Sequence, residues 1–169
     1  MATILQKDAP ILRETASPVA LEEIQSKEMK KIIADMREAL DRESDGAGLA
    51  APQIGVSLRL FIVSKKISLS KNAPEPDQDT VFINPIFLKR SRKKQLMEEG
   101  CLSIRWVYGK VLRSEKVLME AYDEHGVKQT YGASKLLAQI FQHEVDHLDG
   151  ILFTDKAIDL EYIPPKTQK

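Results

Sequence analysis

Two histidines one helical turn apart, with a carboxylate beside the first, stand near the end of the chain in QHEVDHLDG, residues 142–150. On a helix, His143 and His147 occupy positions i and i+4 and project from one face. Two imidazoles at that spacing can hold one metal ion, and Glu144 can reach a water bound to it. The same spacing also occurs on solvated helices that bind nothing, so the flanks carry weight. Leu136 and Ile140 precede His143 on the same face, which makes the imidazoles semi-buried, and a buried neutral histidine pair needs a purpose.

A catalytic site of this kind needs a third protein ligand and one open position. The extended pattern with a third histidine is closed, because Phe153 stands where that histidine would be. His125, the remaining histidine, falls in the turn DEHG, where a surface role is expected. The single cysteine, Cys101, lies in EEGCLS (98–103). A lone cysteine is ordinarily a small buried hydrophobe, but this one follows Gly100 at the end of QLMEE, a plausible strand where backbone can approach closely. Two histidines and a cysteine with water in the fourth place is the economical reading. A third segment, GAGLAAPQIG (46–55), formally matches the dinucleotide fingerprint at Gly46, Gly48 and Ala51. It follows a helix instead of a strand, and Pro52 interrupts the helix that should come next, so that reading fails. The glycines instead permit a tight backbone course, and Gln53 supplies an amide donor at a fixed place.

The elements that must position these residues are legible in outline. Lys27–Arg42 carries Met29, Ile32, Ile33, Met36 and Leu40 at helical spacing, with Ser26 placed to cap it. Residues 58–64 and 81–84 read as strands, the second stopped by Pro85, with an exposed loop between them. Strand segments follow around 111–131, with DEHG as a turn. Leu136, Leu137, Ile140, Phe141, Val145 and Leu148 then return to helical period. Helix, several strands and helix without regular alternation predict an α+β fold, with antiparallel or mixed sheets packed around the helix that carries His143 and His147. No repeat or linker divides the chain, so one domain over 1–169 is expected.

Composition narrows the function. The 169 residues are 43% hydrophobic with 8 Gly and 8 Pro, which excludes a low-complexity scaffold. Lys+Arg and Asp+Glu balance at 25 each, which argues against general nucleic-acid binding or a supercharged membrane surface. MATILQKDAP lacks the apolar core of a signal peptide, and no run approaches the roughly 18 apolar residues of a membrane span. The expectation is a cytoplasmic protein without disulfides.

Taken together, GAGLAAPQ, EGCLS and QHEVDHLDG, in this order and at these separations, closely resemble the peptide deformylase family. The likeness extends to ILRETASPV, the first helix and LLAQIFQHE. It implies a metal-dependent hydrolase that removes the formyl group from the N-terminal formylmethionine of nascent polypeptides. It implies Cys101, His143 and His147 as ligands of one divalent ion, usually Fe(II), with Zn(II), Ni(II) or Co(II) also found. Glu144 would be general base and acid, and Gln53 with the Leu102 N–H would hold the oxyanion. The implied partners are N-formylmethionyl peptides and nascent chains, with a transient ribosome contact, no DNA and no membrane. The implied location is the cytoplasm, bacterial in type, with organellar or phage origin left open. The methionine site is expected from Ala47, Gly48, Met97, Leu102 and Ile140, with Leu136 either pocket or core. Backbone around Gly48 is expected to pair with the peptide as an added strand.

The chain departs from the family after EGCLS, where an apolar residue is commonly followed by proline. Here Ile104 is followed by Arg105 and Trp106, which either shape the mouth of a cleft or cover a surface. Near the other end, Pro164 and Pro165 make a terminal helix of the kind many relatives carry improbable. The basic run KRSRKK (89–94) reads as a solvated hairpin end or an RNA contact. Two rivals remain: a metallopeptidase of the His-Glu-x-x-His type, which leaves EGCLS and Gln53 unexplained, and a silent metal-binding, ribosome-associated relative, for which Glu144 would have no use.

Overall fold

The computed structural model describes residues 2–70, 74 and 76–166. Helix α1 (Lys27–Asp41) starts where Ser26 Oγ accepts the Met29 N–H at 3.0 Å, which satisfies one of the orphan donors of the first turn. Met29, Ile33, Met36 and Leu40 form its buried stripe. A five-stranded antiparallel sheet follows in the order β1 (Gly48–Ala50), β2 (Leu60–Val63), β3 (Thr80–Arg90), β6 (Lys116–Tyr122) and β7 (Lys128–Ser134). A three-stranded sheet is ordered β4 (Lys94–Cys101), β5 (Ile104–Ser114) and β8 (Ile158–Tyr162). Helix α2 (Lys135–Leu148) lies between the two sheets' chemistry, and the fold is α+β, as the order of elements predicts.

The continuous apolar run LFIV is a strand buried on both faces, and its alternation explains both helices. Leu60 and Ile62 pack with Met29, Ile33 and Met36 of α1, whereas Phe61 and Val63 pack with Phe141 and Val145 of α2. Phe61 stacks on Phe82 at 4.9 Å, and Phe82 meets Phe141 edge-on at 5.0 Å. A third, smaller cluster of Leu12, Ile104, Val111, Leu152 and Phe153 lies beside Cys101.

The structure differs from the expected elements in three places. Strand β3 does not stop at Pro85 but continues to Arg90. A register irregularity between Ile83 and Ile86 absorbs the proline, with Asn84 at φ 51°, the setting in which a strand tolerates a residue without an N–H. Asn84 is fixed there by two 2.8 Å hydrogen bonds with the Val19 backbone. Strand β1 is only three residues long, too short for a periodicity signal. Strand β8 lies just before Pro164 and Pro165, in a segment for which no strand was expected, although Ile158, Leu160 and Tyr162 do alternate with polar residues. The loop between β2 and β3 is irregular where described; residues 71–73 and 75 lie outside the described residues. Among the described residues no helix is long and apolar enough to cross a membrane.

Candidate metal centre

Three side chains from two elements converge. Cys101 Sγ and one ring nitrogen each of His143 and His147 lie within 4.8 Å of one another, with Sγ 3.3 Å from His147 Nε2. His143 and His147 come from successive turns of α2, their rings 4.9 Å apart. Cys101 ends β4, and the chain reverses at once through Leu102 and Ser103 into β5, with Cys101 opposite Ile104. His125 takes no part; it sits exposed in the β6–β7 turn.

Helix and hairpin are locked together by buried polar contacts. Gln139 Nε2 donates to the Glu98 carbonyl at 2.7 Å, and Gln142 both donates to and accepts from the Ser114 backbone at 3.0 Å. Arg113 of β5 donates to Glu99 at 2.6 and 2.9 Å and to Asp146 of α2 at 2.6 Å. Lys156 adds a 2.9 Å contact to Asp146. Glu99 in turn sits 2.7 Å from His143 Nδ1, so a carboxylate orients that ring and leaves Nε2 for an ion. Burial alone would push the Glu99 carboxyl up, but hydrogen bonds from Arg113 and His143 more than reverse this and hold it at about 2.

The donor set suits a soft-to-borderline divalent metal. Burial opposes ionisation of the Cys101 thiol, yet the charge of His147 and hydrogen bonds from both histidines bring it well below its ordinary value. Burial likewise opposes a charged His143, and Cys101 and Glu99 outweigh it, holding the ring well above the usual imidazole range. Without an ion, protons therefore bind the thiolate–imidazole cluster, and a metal would displace them. Two further atoms fit the same reading: Glu144 Oε2 and His147 Nδ1 are buried with no hydrogen-bond partner. Burial pushes the Glu144 carboxyl up to about 7, against the pull of His143 and His147.

A cavity of about 310 Å³ adjoins this cluster, at the small end of the range for ligand pockets. Gln53, Leu102, Ala47, Gly48, Ile140, His143 and Glu144 all line it. Gln53 is buried, its Oε1 fixed by the Ala50 N–H at 2.8 Å, and its Nε2 aimed at Ser103 Oγ (3.0 Å) and Cys101 Sγ (3.7 Å). Gly48 is required by space: a Cβ there would sit 2.8 Å from Glu144 Oε1 and 3.1 Å from the Ile62 carbonyl. The fingerprint glycine thus makes room for a carboxylate, not a phosphate.

Met97 is not among the lining residues. It shares strand parity with Glu99 and Cys101 but lies two residues further along β4, about 6.8 Å, beyond the buried Glu99. Leu136 does line the cavity and is half exposed, which decides against its being core. Arg105 and Trp106 also line it. Sequence reasoning missed the roles of Glu99, Arg113 and Asp146, as well as Ser103 and Gln139. Arg113 is separated from its partners by 14 and 33 residues, and a charged residue on a strand carries no mark of burial.

The chain resembles known proteins along nearly its whole length. The sequence profile described as polypeptide deformylase matches residues 1–162. The peptide deformylase of Syntrophomonas wolfei is 42% identical over 149 residues, covering 88% of each chain. The crystal structure of peptide deformylase from Thermotoga maritima superposes with a TM-score of 0.81 at 32% identity, covering 94% of this chain and 98% of that one. The Met-Ala-Ser-bound class I type b peptide deformylase from Acinetobacter baumannii gives 0.81 at 33% identity, covering 92% and 99%. With profile, relatives and fold in agreement across nearly the whole chain, this protein belongs to the polypeptide deformylase family.

Proposed function

We propose that this chain, acting as one catalytic domain, removes the formyl group from the N-terminal formylmethionine of peptides and nascent chains, releasing formate. The observation that carries the assignment of roles is Glu144, whose buried, unpartnered Oε2 lies in the same cavity as the Cys101–His143–His147 cluster. Those three residues would hold the ion. When bound, a divalent metal supplies Lewis acidity and makes water acidic enough to ionise near neutral pH. Glu144, held near neutrality, takes up the water's proton at Oε2 and returns it to the departing amine of methionine. Gln53 Nε2 and the Leu102 N–H meet the negative oxygen that forms on the formyl carbon. The long 3.7 Å contact of Gln53 with Cys101 is the one an oxyanion would replace.

Ala47, Leu102 and Ile140 form the apolar wall for methionine, joined by Leu136. Gly48 lies on β1, the edge strand of its sheet, and lines the cavity, where a peptide backbone would add as a further strand. The Acinetobacter relative, whose structure is Met-Ala-Ser bound, supports a short peptide as the ligand. Neither a peptidase nor a silent relative accounts for Gln53 and Cys101 in one cavity with Glu144.

Formate release from formyl-Met-Ala-Ser tests the reading: activity should vanish with chelator, and Glu144→Ala should keep the metal and lose turnover. Cleavage of internal amide bonds without formate release would reject it. Fe(II) is the proposed ion, with a thiolate ligand and an open position. Anaerobically purified protein should then contain iron and lose activity in air, whereas Zn(II)-loaded protein should not. The proposed setting is the bacterial-type cytoplasm. Any transient ribosome contact is assigned to Lys89, Arg90, Arg92, Lys93 and Lys94, exposed around the β3–β4 connection. Charge reversal there should abolish cosedimentation with ribosomes, and unchanged cosedimentation rejects that contact.

A further inference from the structure

The two groups proposed to meet the oxyanion, the Gln53 amide and the Leu102 N–H, come from separate parts of the chain. Gln53 stands in the short 3-10 turn Ala51–Ile54, and Leu102 in the reversal between β4 and β5. Donors in that role work only when they are held in place before the charge develops. The reversal is poorly suited to hold itself. Cys101 lies opposite Ile104 across only Leu102 and Ser103, and neither of these has the positive φ that two-residue hairpin connections ordinarily use. Its shape therefore depends on contacts from outside.

Two side chains make those contacts. Ser103 Oγ, fully buried, accepts Gln53 Nε2 at 3.0 Å and so ties the amide directly to the turn. The Ala50 N–H holds Oε1 of the same amide at 2.8 Å, so a flip of the amide would lose both contacts. Gln6 Nε2 donates to the Leu102 carbonyl at 3.2 Å. Its neighbour Leu5 donates its backbone N–H to the Gln53 carbonyl at 2.8 Å. Two consecutive residues near the N-terminus thus grip both donor-bearing residues at once. That segment is itself anchored. Ile4 packs against the cluster that includes Leu49, Ala51 and Leu102, and the Ala2 carbonyl accepts from Arg42 at 2.8 Å. Neither Gln6 nor Ser103 lines the cavity, so any effect on the reaction must pass through Gln53 and Leu102.

We infer that Gln6 and Ser103 are positioning residues that hold the two oxyanion donors as one unit. The inference rests on the deformylase reading, because it concerns how that reaction's developing charge is met. One N–H of the Gln53 amide stays on Ser103, while the other, facing Cys101 Sγ with Nε2 at 3.7 Å, is released to the oxygen. Without Ser103 Oγ the amide is free to turn towards that sulfur, and without Gln6 the turn that carries the Leu102 N–H loosens.

The test measures formate release from formyl-Met-Ala-Ser by the metal-loaded enzyme, with metal content and thermal midpoint recorded for each variant. Ser103→Ala should lower kcat by about tenfold, the scale of one buried hydrogen bond, with KM within about twofold of its original value. Gln6→Met, at an exposed position, keeps the stem and loses the donor. It should lower kcat by about threefold and leave the midpoint level. In a Gln53→Leu background Ser103→Ala should cost nothing further, whereas Gln6→Met should still act through Leu102. Unchanged kcat in either single variant would overturn the inference, as would a loss confined to KM. The same factor from Ser103→Ala in both backgrounds would also overturn it, and so would a Ser103→Ala protein without a cooperative unfolding transition, since Ser103 would then serve the fold alone. No formate from the unsubstituted enzyme would overturn the deformylase reading itself, whereas formate from it with the variants unaffected would overturn this inference only.

Discussion

The two sides of α2 solve opposite problems with one helix. Towards the five-stranded sheet it presents Leu137, Ala138, Phe141, Val145 and Leu148, which pack against Phe61 and Phe82. Towards the β4–β5 hairpin it presents Gln139, Gln142, His143, Asp146 and His147, and these are nearly as buried. The apolar side gains from dispersion and from removal of hydrocarbon from water, and each contact is individually replaceable. On the polar side every group lost its water on folding, so each needs a specific partner. One side supplies stability, and the other uses part of it to hold a reactive geometry.

That division can be broken or sharpened by mutation. The largest expected effect is on turnover. Glu144→Gln should cut kcat by about 10²–10⁴-fold with metal content unchanged. Its thermal midpoint near neutral pH should stay level or rise, because an ionisable carboxyl is removed from a site where burial disfavours its charge. A large fall in midpoint would mean that Glu144 is structural. Phe141→Ala should cost about 3–5 kcal/mol of stability by leaving a void beside the Phe61 and Phe82 rings, measured by urea unfolding. If metal affinity fell as steeply as stability, the two sides would not be separable.

Acid should act on the polar side alone. Glu99 is held at about 2, below its unfolded value near 4.5, so its stabilising contribution is complete above about pH 4.5 and is lost as pH falls towards 2. Metal release should accompany that fall, because the same carboxylate orients His143. Arg113→Met should abolish this acid window, and an unchanged pH profile in that variant would remove Glu99 from the account. The smallest effect belongs to Gln142→Leu, which strips partners from the Ser114 N–H and carbonyl. It should cost about 1–3 kcal/mol and raise KM or metal loss more than a substitution of equal cost on the apolar side.

Much of this was legible in the sequence, and unevenly so. Residues whose role depends on local spacing were readable: His143 and His147 one turn apart, Ser26 before an amphipathic run, the alternation buried in LFIV. Cys101 was readable by elimination, since the chain offers one thiol and no suitable third histidine. Contacts set by topology were not. Arg113 meets Glu99 and Asp146 only because a hairpin and a helix cross. Met97 was assigned to the pocket on nearness to Cys101 along the chain, yet strand geometry carries it away. Pro85 misled because a stop signal for one residue's hydrogen bond was taken as a stop for the strand. Strand β8 did alternate, and the prolines that follow it drew attention away from the pattern.

The reversal after Cys101 has a further consequence. The proposed sulfur donor, Cys101, and the proposed oxyanion donor, the Leu102 N–H, occupy neighbouring positions in a bend that contains no surplus residue. A shift of one drags the other, as two seats bolted to one frame move together. An ion preferring a longer bond to sulfur would therefore also displace the amide proposed to steady the developing charge. Identity of the metal would then be felt in the rate through the protein's own geometry, as well as through the ion's chemistry.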